Sequence, residues 1–360
     1  MFKIYNKYIF KKFLIKYLNL NLIFFCLIII MGVLEELSFF NNLETSSLMP
    51  YFLTLLNAPS TLFEIFPFIF LLSIQFLFFD LSRNDELNLL KKNGLKNTLI
   101  IKNLFFVVIL VGIFNIAIFY NFASILKFHY SNIKNKLSDD NKYLAIVLKS
   151  GLWIKDEVNG KKFIIKSKQF NDKTLSNVVI SEFDKNFKLI KVITSEKVDI
   201  ENNLWIVYEP QITLLNNKKI TLNSELKIFT NFNHEKINIL FTNISNFNLI
   251  KLLNLKSNYN ELGYSTVEIN LHLLKIISLP LFYGAITILA SIIMLNFMIK
   301  KSFLIQVILG ILTSIFIYYL SFLFSTLGAN ERIPIQLSVF FPIFFIFILS
   351  VIGLININEK

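Results

Sequence analysis

The chain of 360 residues is 54% hydrophobic and 15% aromatic, with a mean hydropathy of +0.59. Soluble domains are typically about 45–50% apolar, so this composition excludes an ordinary soluble protein and favours a membrane protein. The net charge of +12 fits either nucleic acid or a membrane surface, and the position of the lysines beside long apolar runs favours the membrane. A single cysteine, Cys26, excludes an intramolecular disulfide.

The N-terminal segment places five lysines among apolar and aromatic residues at helical spacing, which predicts an interfacial helix on an anionic leaflet. These lysines are Lys3, Lys7, Lys11, Lys12 and Lys16. The apolar run that follows, Tyr17 to Phe40, is too long for the core of a signal peptide and lacks a cleavage site, so it predicts a retained first span. Glu35 and Glu36 lie near its far end. Because a carboxylate is costly at membrane depth, two placements stay open for them, the outer interface or a polar cavity.

Two further apolar runs precede any polar domain. The second span is predicted from Ala58 to Phe79 and the third from Thr98 to Leu126. The linker Asn41 to Asn57 holds a single charge, Glu44, whereas basic residues cluster before the first span and between the second and third. By the positive-inside rule, the N-terminus and the stretch between spans two and three lie in the cytoplasm.

That stretch, Leu81 to Asn103, carries the signals of one short surface helix: a capping pair, acidic residues in the first turn, lysines in the last turn and a glycine beyond it. The capping pair is Ser82 and Asp85, and the acidic residues of the first turn are Asp85 and Glu86. The lysines of the last turn are Lys91 and Lys92, and the glycine is Gly94. Leu87 and Leu90 share one face of this helix, opposite its charges. Two interpretations stay open, a cytosolic loop solvated by its own charges and a helix that a partner protein binds.

From Lys127 to Glu268 charges occur throughout, and no apolar run is long enough to span a bilayer. Short segments alternate apolar and polar residues with a period of two, which favours antiparallel strands in a sandwich or jelly roll. The predicted strands are Lys162–Lys166, Val178–Phe183, Leu189–Ile193, Trp205–Tyr208, Ile212–Leu215 and Ile220–Phe229. A transmembrane barrel is disfavoured because the segments lack aromatic girdles.

The C-terminal part returns to apolar runs after a leucine-faced helix, Asn246 to Asn258. Three more spans are predicted at Ile269–Ile299, Phe303–Phe324 and Ile333–Ile355. Lys300 and Lys301 mark a cytoplasmic turn, and Glu331 and Arg332 face outward. The sequence therefore predicts an α-helical membrane protein with six transmembrane helices and a non-cytoplasmic antiparallel β jelly-roll-like domain. Its predicted divisions are residues 1–126, 127–245 and 246–360.

Several chemistries are absent from the sequence. It has no P-loop motif, so the energy for any transport must come from another protein. His129, His234 and His272 lack companions at metal-ligand spacing, and no nucleophile motif such as G-x-S-x-G occurs, so we expect a non-catalytic subunit without metal or cofactor. Glu64 and Lys275 are the clear intramembrane charges, too few for a proton relay. The phenylalanine-rich interior fits a lipid-like substrate, unless those rings face lipid.

Four stretches resemble the LptF/LptG permeases of the lipopolysaccharide-export ABC transporter. They are Phe66-Pro67 with the later LSRNDELNLLKKNGLKN, SGLWIKD at Ser150 to Asp156, VDIENNLWIV at Val198 to Val207, and YSTVEINLHLLKIISLP at Tyr264 to Pro280. The order of three spans, a β domain and three spans extends the resemblance over nearly the whole chain. The SGLWIKD segment and the Leu-Trp strand look more like the LptG branch than the LptF branch.

The resemblance implies a multi-pass protein of the bacterial inner membrane with its β domain in the periplasm. Its implied partners are a second permease of the family in a heterodimer, a cytoplasmic ATPase dimer, and a single-span protein whose β domain continues a periplasmic bridge. Its implied cargo is lipopolysaccharide, extracted from the inner membrane and passed toward the outer membrane. The helix between spans two and three would receive the ATPase through Arg83, Asp85, Glu86, Leu87, Leu90 and Gly94.

The resemblance also implies a lateral gate on the faces of spans one and five. The residues on these faces are Phe25, Ile28, Phe316 and Tyr319. Where related proteins place basic residues near the outer end of span one, this chain has Glu35 and Glu36. We therefore predict that these two glutamates line the substrate cavity. Lys275 and Arg332 are the alternative contacts for a lipid headgroup.

Two other functions remain open. One is a permease for another lipidic cargo, of the lipoprotein-release type, although that class commonly has one span before its large outer domain. The other is a membrane-anchored β-domain scaffold without transport, which would need neither six spans nor a capped cytosolic helix.

Overall fold

A computed structural model of the chain describes residues 4–41, 46–137, 152–158, 160–171, 173–214, 219–221, 224–234, 236–237, 244–261, 264–297 and 303–358. The chain forms two compact units. One consists of Met1–Tyr130, Ile244–Asn260 and Ser265–Lys360, and the other of Ser131–Asn243 and Glu261–Tyr264. Lys3, Glu44, Ser150, Gly151, Leu215, Ile299, Lys300 and Lys301 lie outside the described ranges.

Six of the described helices are long and apolar enough to cross a membrane, which confirms the six predicted spans. The helices in chain order are α1 (Ile4–Phe40), α2 (Met49–Glu64), α3 (Phe66–Arg83), α4 (Glu86–Lys92), α5 (Asn97–Phe114), α6 (Asn121–Leu137), α7 (Leu249–Glu261), α8 (Val267–Phe297), α9 (Phe303–Ala329) and α10 (Ile335–Asn358). A π-helical segment, Asn115–Tyr120, joins α5 to α6, so the third span is one continuous rod. The other spans are α1, α3, α8, α9 and α10.

Helix α1 unites the predicted interfacial helix and the predicted first span. Its 37 residues extend over about 55 Å at 1.5 Å per residue, well beyond the roughly 30 Å hydrocarbon core of a bilayer. No proline or glycine precedes Gly32, so nothing in the sequence interrupts the helix where the lysines give way to apolar residues. The structure therefore has no helix break at Tyr17, and the lysine-bearing turns are the N-terminal extension of the helix that contains the first span.

The predicted second span divides into two helices. Helices α2 and α3 meet at Ile65, and Pro67 occupies the first turn of α3, where its missing N–H costs nothing. In a continuous helix, the same proline would remove the bond to the Phe63 carbonyl and clash with it. The linker predicted before this span is helical from Met49, with Pro50 in the first turn of α2. The membrane-crossing part is the 18-residue helix α3.

Buried aromatic rings form the centre of the membrane unit. Tyr17 of α1 stacks on Phe70 of α3 with ring centroids 4.8 Å apart, and Phe70 stacks on Tyr283 of α8 at 4.5 Å. Asn115, in the π-helical segment, donates from Nδ2 to Tyr17 Oη at 2.8 Å. About two thirds of the apolar stretch of α8 is buried (67%), against 11% for both α1 and α9. Helices α1 and α9 therefore direct most of their apolar surface away from this centre.

The second unit is built on one antiparallel sheet that curls into a half-barrel, which confirms the predicted fold class. Its strands are β1 (Leu152–Val158), β2 (Lys161–Asn171), β3 (Thr174–Phe183), β4 (Leu189–Asp199), β5 (Leu204–Tyr208), β6 (Gln211–Leu214), β7 (Lys219–Thr221) and β8 (Leu226–Phe229). The order is β1-β2-β3-β4-β5-β8, and β6 pairs with β4 and β7. The strand predicted over Ile220–Phe229 is thus two strands, and β1 was not predicted. Trp205, fully buried, donates from Nε1 to the Phe232 carbonyl at 2.7 Å.

Among the described strands, β1, β7 and β8 each pair on one side only. Strand β1 is held by a second contact near the end of β8. The buried carboxylate of Asp156 accepts hydrogen bonds from the backbone N–H of Asn231 at 3.0 Å and from its Nδ2 at 2.8 Å. The Asp156 side chain therefore links β1 to the segment that follows β8. The backbones of β1 and β8 do not pair with each other.

Candidate functional site

The short helix α4 begins directly after α3, and only Asn84 and Asp85 separate them. Asp85 adopts a left-handed backbone (φ +55°), and its N–H donates to the Ser82 carbonyl at 3.1 Å. The predicted capping box is wrong, because Ser82 belongs to the last turn of α3 and no side chain caps the start of α4. Instead, the Asp85 carboxylate accepts a hydrogen bond from Asn88 Nδ2 at 3.3 Å.

The far end of α4 has the glycine cap that the sequence predicts. Gly94 lies in the left-handed region with φ +84°. Its N–H donates to the Lys91 carbonyl at 2.9 Å, and the N–H of Leu95 donates to the Leu90 carbonyl at 3.1 Å. These two bonds are the paired bonds of a Schellman motif, which satisfies carbonyls that the helix leaves open. Helix α4 is therefore bounded by left-handed residues at both ends.

The leucines of α4 divide between the inside and the outside of the protein. Leu87 is 5% exposed and belongs to the membrane core, and the half-buried Leu90 packs against the same core. Leu89 is 56% exposed. The face formed by Leu87 and Leu90 thus anchors α4 to its own spans, so it is not open to a partner. The sequence prediction missed Leu89, because it does not share the three-residue spacing that places Leu87 and Leu90 on one face.

Glu86 connects α4 to the N-terminal extension of α1. Its Oε2 accepts a hydrogen bond from Tyr8 Oη at 2.7 Å and one from Lys12 Nζ at 2.5 Å. Burial alone would raise the pKa of Glu86, but the hydrogen bonds from Lys12 and Tyr8 and the lysine charge lower it below its ordinary value. The group is therefore an anion at neutral pH. We call Tyr8, Lys12 and Glu86 the α1–α4 contact.

A parallel ion pair lies one turn further along α1. Lys16 pairs with Asp80 near the end of α3. Tyr8, Lys12 and Lys16 follow one another at intervals of four residues, so one face of α1 holds both α3 and α4. Sequence reasoning assigned these lysines to a lipid surface. The signal that could have shown otherwise is the pair of carboxylates, Asp80 and Glu86, at the facing ends of the next helices.

The side of α4 that faces away from Leu87 and Leu90 is accessible, and it carries both charged and apolar side chains. Asn88, Leu89 and Lys92 are exposed on one side of α4, and Asp85 before the helix and Arg83 at the end of α3 are exposed as well; we call these five residues the outer face of α4. The surface offers both signs of charge around a single apolar side chain. Polar groups surrounding a central apolar residue are a common arrangement at protein interfaces.

Residues 7–356 match the family described as lipopolysaccharide export system permease LptF/LptG. The chain belongs to the LptF/LptG family. A comparison with curated proteins gave no match. The family match covers almost the whole sequence and both units of the structure, and it places the chain in a family of transport permeases. Because LptF and LptG fall in one family, assignment to the LptG branch stays a prediction.

The predicted gate residues of this LptF/LptG chain lie on its two least buried spans. Phe25 and Ile28, on α1, are half-buried and pack against the membrane core. Phe316 and Tyr319, on α9, are more than half exposed. Phe25 and Ile28 thus contact their own unit, whereas Phe316 and Tyr319 face outward, and the role of all four in a gate stays a prediction.

The two glutamates near the end of α1 have different environments. Glu35 is exposed, whereas Glu36 is 2% exposed and accepts a hydrogen bond from Tyr130 Oη at 2.7 Å. Glu36 thus joins α1 to α6 within the membrane unit. Of the alternative basic residues, Arg332 is exposed in the turn between α9 and α10, and Lys275 donates from Nζ to Ser325 Oγ at 2.5 Å.

Proposed function

We propose that this chain is the permease subunit of an ABC transporter that extracts lipopolysaccharide from the inner membrane and passes it to a periplasmic bridge. The observation that carries the proposal is the family match over residues 7–356. Six apolar helices and a separate β unit supply the expected architecture. The lysine-rich N-terminal segment and the stretch around α4 favour a cytoplasmic position for α4, which leaves the β unit in the periplasm.

In this proposal the outer face of α4 binds a subunit of a cytoplasmic ATPase dimer. Leu89 would fill an apolar depression in the ATPase, and Arg83 and Asp85 would pair with charges around it. Leu87 and Gly94 would act indirectly, since the first anchors α4 and the second ends it. An ATPase that binds α4 more tightly in one nucleotide state than in the other would shift the permease between two conformations.

The α1–α4 contact supplies a route from the ATPase to the membrane. A displacement of α4 acts on Lys12 through Glu86, and a displacement of α3 acts on Lys16 through Asp80. Ile28 lies 16 residues beyond Lys12 on the same uninterrupted helix, about 24 Å away. We infer that α1 transmits ATPase movement to its gate-facing residues, because a continuous helix moves largely as one rigid body.

The β unit would connect to the next bridge component by its sheet edges. Strands β1 and β8 offer backbone N–H and C=O groups on one side among the described strands. An incoming strand from a single-span partner could extend the sheet by β-augmentation. The second permease of the heterodimer would pack on the exposed apolar faces of α1 and α9.

Co-purification tests the proposal. The tagged full chain, extracted in mild detergent, should recover an ATPase and a second six-span permease. The variant Leu89→Glu should lose most of the ATPase while keeping the second permease, because it places a charge at the centre of the outer face of α4. The matched control is Leu253→Glu on α7, which changes a leucine of similar exposure.

Each failure has its own meaning. Recovery of the chain alone would overturn the transporter assignment and favour a membrane-anchored scaffold. Recovery of an ATPase together with a bound lipoprotein, and without lipopolysaccharide, would favour a permease of the lipoprotein-release type. Unchanged ATPase recovery with Leu89→Glu would remove the outer face of α4 from the interface.

A further inference from the structure

A cavity of about 320 Å³ lies among α8, α9 and α10 of the membrane unit. Its polar lining comes from Lys275 and Ser278 on α8, Tyr318, Ser321 and Ser325 on α9, and Ser338 on α10. Apolar side chains such as Phe282 complete the wall. This volume is at the lower end of the roughly 300–1,000 Å³ found for small-molecule sites.

Three of these polar side chains, Lys275, Ser321 and Ser325, can donate hydrogen bonds into the cavity, whereas Ser278 donates to the Lys275 carbonyl at 2.8 Å. Lys275 Nζ uses one N–H on Ser325 Oγ, which leaves two N–H groups. Ser325 accepts that bond, so its own O–H remains available. Ser321 Oγ is buried and has no hydrogen-bond partner among the described residues. Ser338 donates to the Ile335 carbonyl at 2.7 Å, so it contributes an acceptor instead.

Among the described residues, no acidic group compensates the charge of Lys275 in the cavity. No acidic side chain is among the described residues that line the cavity, and none of the described carboxylates forms an ion pair with Lys275. A partly buried ammonium in a membrane-spanning helix is costly unless it is paired. An anion that accepts bonds from Lys275, Ser321 and Ser325 would satisfy both the charge and the open donors.

The position of the cavity along the helices fits a lipid headgroup. Lys275 lies eight residues after the start of α8, Ser325 four residues before the end of α9, and Ser338 three residues after the start of α10. At 1.5 Å per residue, all three lie within about 12 Å of the same end of these helices. Tyr318 and Phe322, on the cavity wall, are more than half exposed. The cavity is therefore reachable sideways from the lipid that surrounds α9.

We propose that this cavity binds the phosphate of an anionic glycerophospholipid. Lys275 supplies the charge, Ser321 and Ser325 donate hydrogen bonds to phosphate oxygens, and the acyl chains follow the apolar surface of α9. The size of the cavity suits one phosphate headgroup. This site is separate from the α1–α4 contact and does not depend on the export role, so a negative result here leaves the proposed function unaffected.

Native mass spectrometry of the full chain in detergent tests the proposal. Added phosphatidylglycerol should form a one-lipid complex at a lower concentration than phosphatidylcholine does. Lys275→Met should weaken the phosphatidylglycerol complex about tenfold, the size expected for losing one charge-assisted hydrogen bond. It should weaken phosphatidylcholine binding less, because the choline cation already offsets the charge of that lipid's phosphate. The control Lys251→Met, at an exposed lysine of α7, should retain both affinities.

A second variant separates the donors from the charge. Ser321→Ala/Ser325→Ala keeps Lys275 and should weaken phosphatidylglycerol binding severalfold, so that a folding defect of Lys275→Met cannot decide the test alone. Equal binding of both lipids, or full phosphatidylglycerol binding by Lys275→Met, would overturn the proposal. Displacement of phosphatidylglycerol by millimolar inorganic phosphate, with equal affinity for the free ion, would identify a free-anion site and overturn the lipid assignment.

Discussion

Glu86 is the residue on which the proposed coupling most depends. Its side chain is 23% exposed, and its carboxylate accepts hydrogen bonds from two residues of α1, Tyr8 and Lys12. Hydrogen bonds that involve a charged group contribute about 1.5–3 kcal/mol each when one partner is removed. The residue therefore connects two helices more firmly than an exposed surface pair would.

Reversing that charge should uncouple the permease without removing it from the membrane. Glu86→Lys places an ammonium beside Lys12, so α4 is repelled from α1, and we expect lipopolysaccharide release from proteoliposomes to fall about tenfold or more. The double variant Lys12→Glu/Glu86→Lys restores an opposite-charge pair and should recover release to within about threefold of the original protein.

The controls distinguish this contact from a direct ATPase contact. Lys11→Glu changes an exposed neighbouring lysine and should leave release unchanged. Normal ATPase recovery and normal release by Glu86→Lys would contradict any coupling role for Glu86. If the single variant fails and the charge swap does not recover, Glu86 acts through the ATPase and not through Lys12.

At the scale of elements, Glu182 joins three strands of the β unit. Its side chain, 5% exposed, accepts bonds from Lys161 of β2 at 2.7 Å and from Lys191 of β4 at 3.1 Å. Burial raises the pKa of Glu182, but the two lysines outweigh this and lower the pKa below its ordinary value. A lowered pKa in the folded state adds stability above the ordinary glutamate pKa, and that stability is lost as pH falls through the lowered value.

Glu182→Gln should therefore destabilise the β unit at neutral pH and much less in acid. We expect a loss of about 1–2 kcal/mol, below the 3–5 kcal/mol of a fully buried pair because both lysines are partly exposed. Hydrogen exchange of the β3 amides in the full chain measures it. The control Glu201→Gln removes the exposed pair with Lys173 and should change nothing measurable. A difference that persists unchanged at pH 3 would contradict the assignment.

Sequence periodicity predicted an element correctly where adjacent residues alone determine the structure of that element. Six apolar runs, the period-two strands and the left-handed cap at Gly94 depend on a few adjacent residues, and the structure contains them. Failures occurred where distant residues decide. Ser82 was predicted as a cap because its place inside α3 is not visible locally, and Leu87 was assigned to a partner because its burial depends on other spans. Lys12 pairs with Glu86, 74 residues away, which no local pattern indicates.

At the scale of the whole molecule, the uneven burial of the spans separates the helices that pack within their own unit from those that face outward. Helix α8 is surrounded by its own unit, whereas α1 and α9 are buried over only 11% of their apolar stretches. Lipid alone accounts for an exposed apolar face. The same two spans carry the four predicted gate residues, so a cargo that enters from the side would meet them first.

Site-specific photo-crosslinking in membranes tests whether these faces contact cargo. A photoreactive residue at Phe25 or Tyr319 should form lipopolysaccharide adducts severalfold more often than one at Ile277 of α8 or Ile352 of α10. The two control positions are exposed apolar sites of the spans, more exposed than the half-buried Phe25, so they report contact with bulk lipid. Equal labelling at all four positions would contradict a gate on α1 and α9. The second permease is itself proposed to pack on α1 and α9, so adducts with that permease alone, without lipopolysaccharide adducts, would show that these faces serve the heterodimer interface and would contradict the gate.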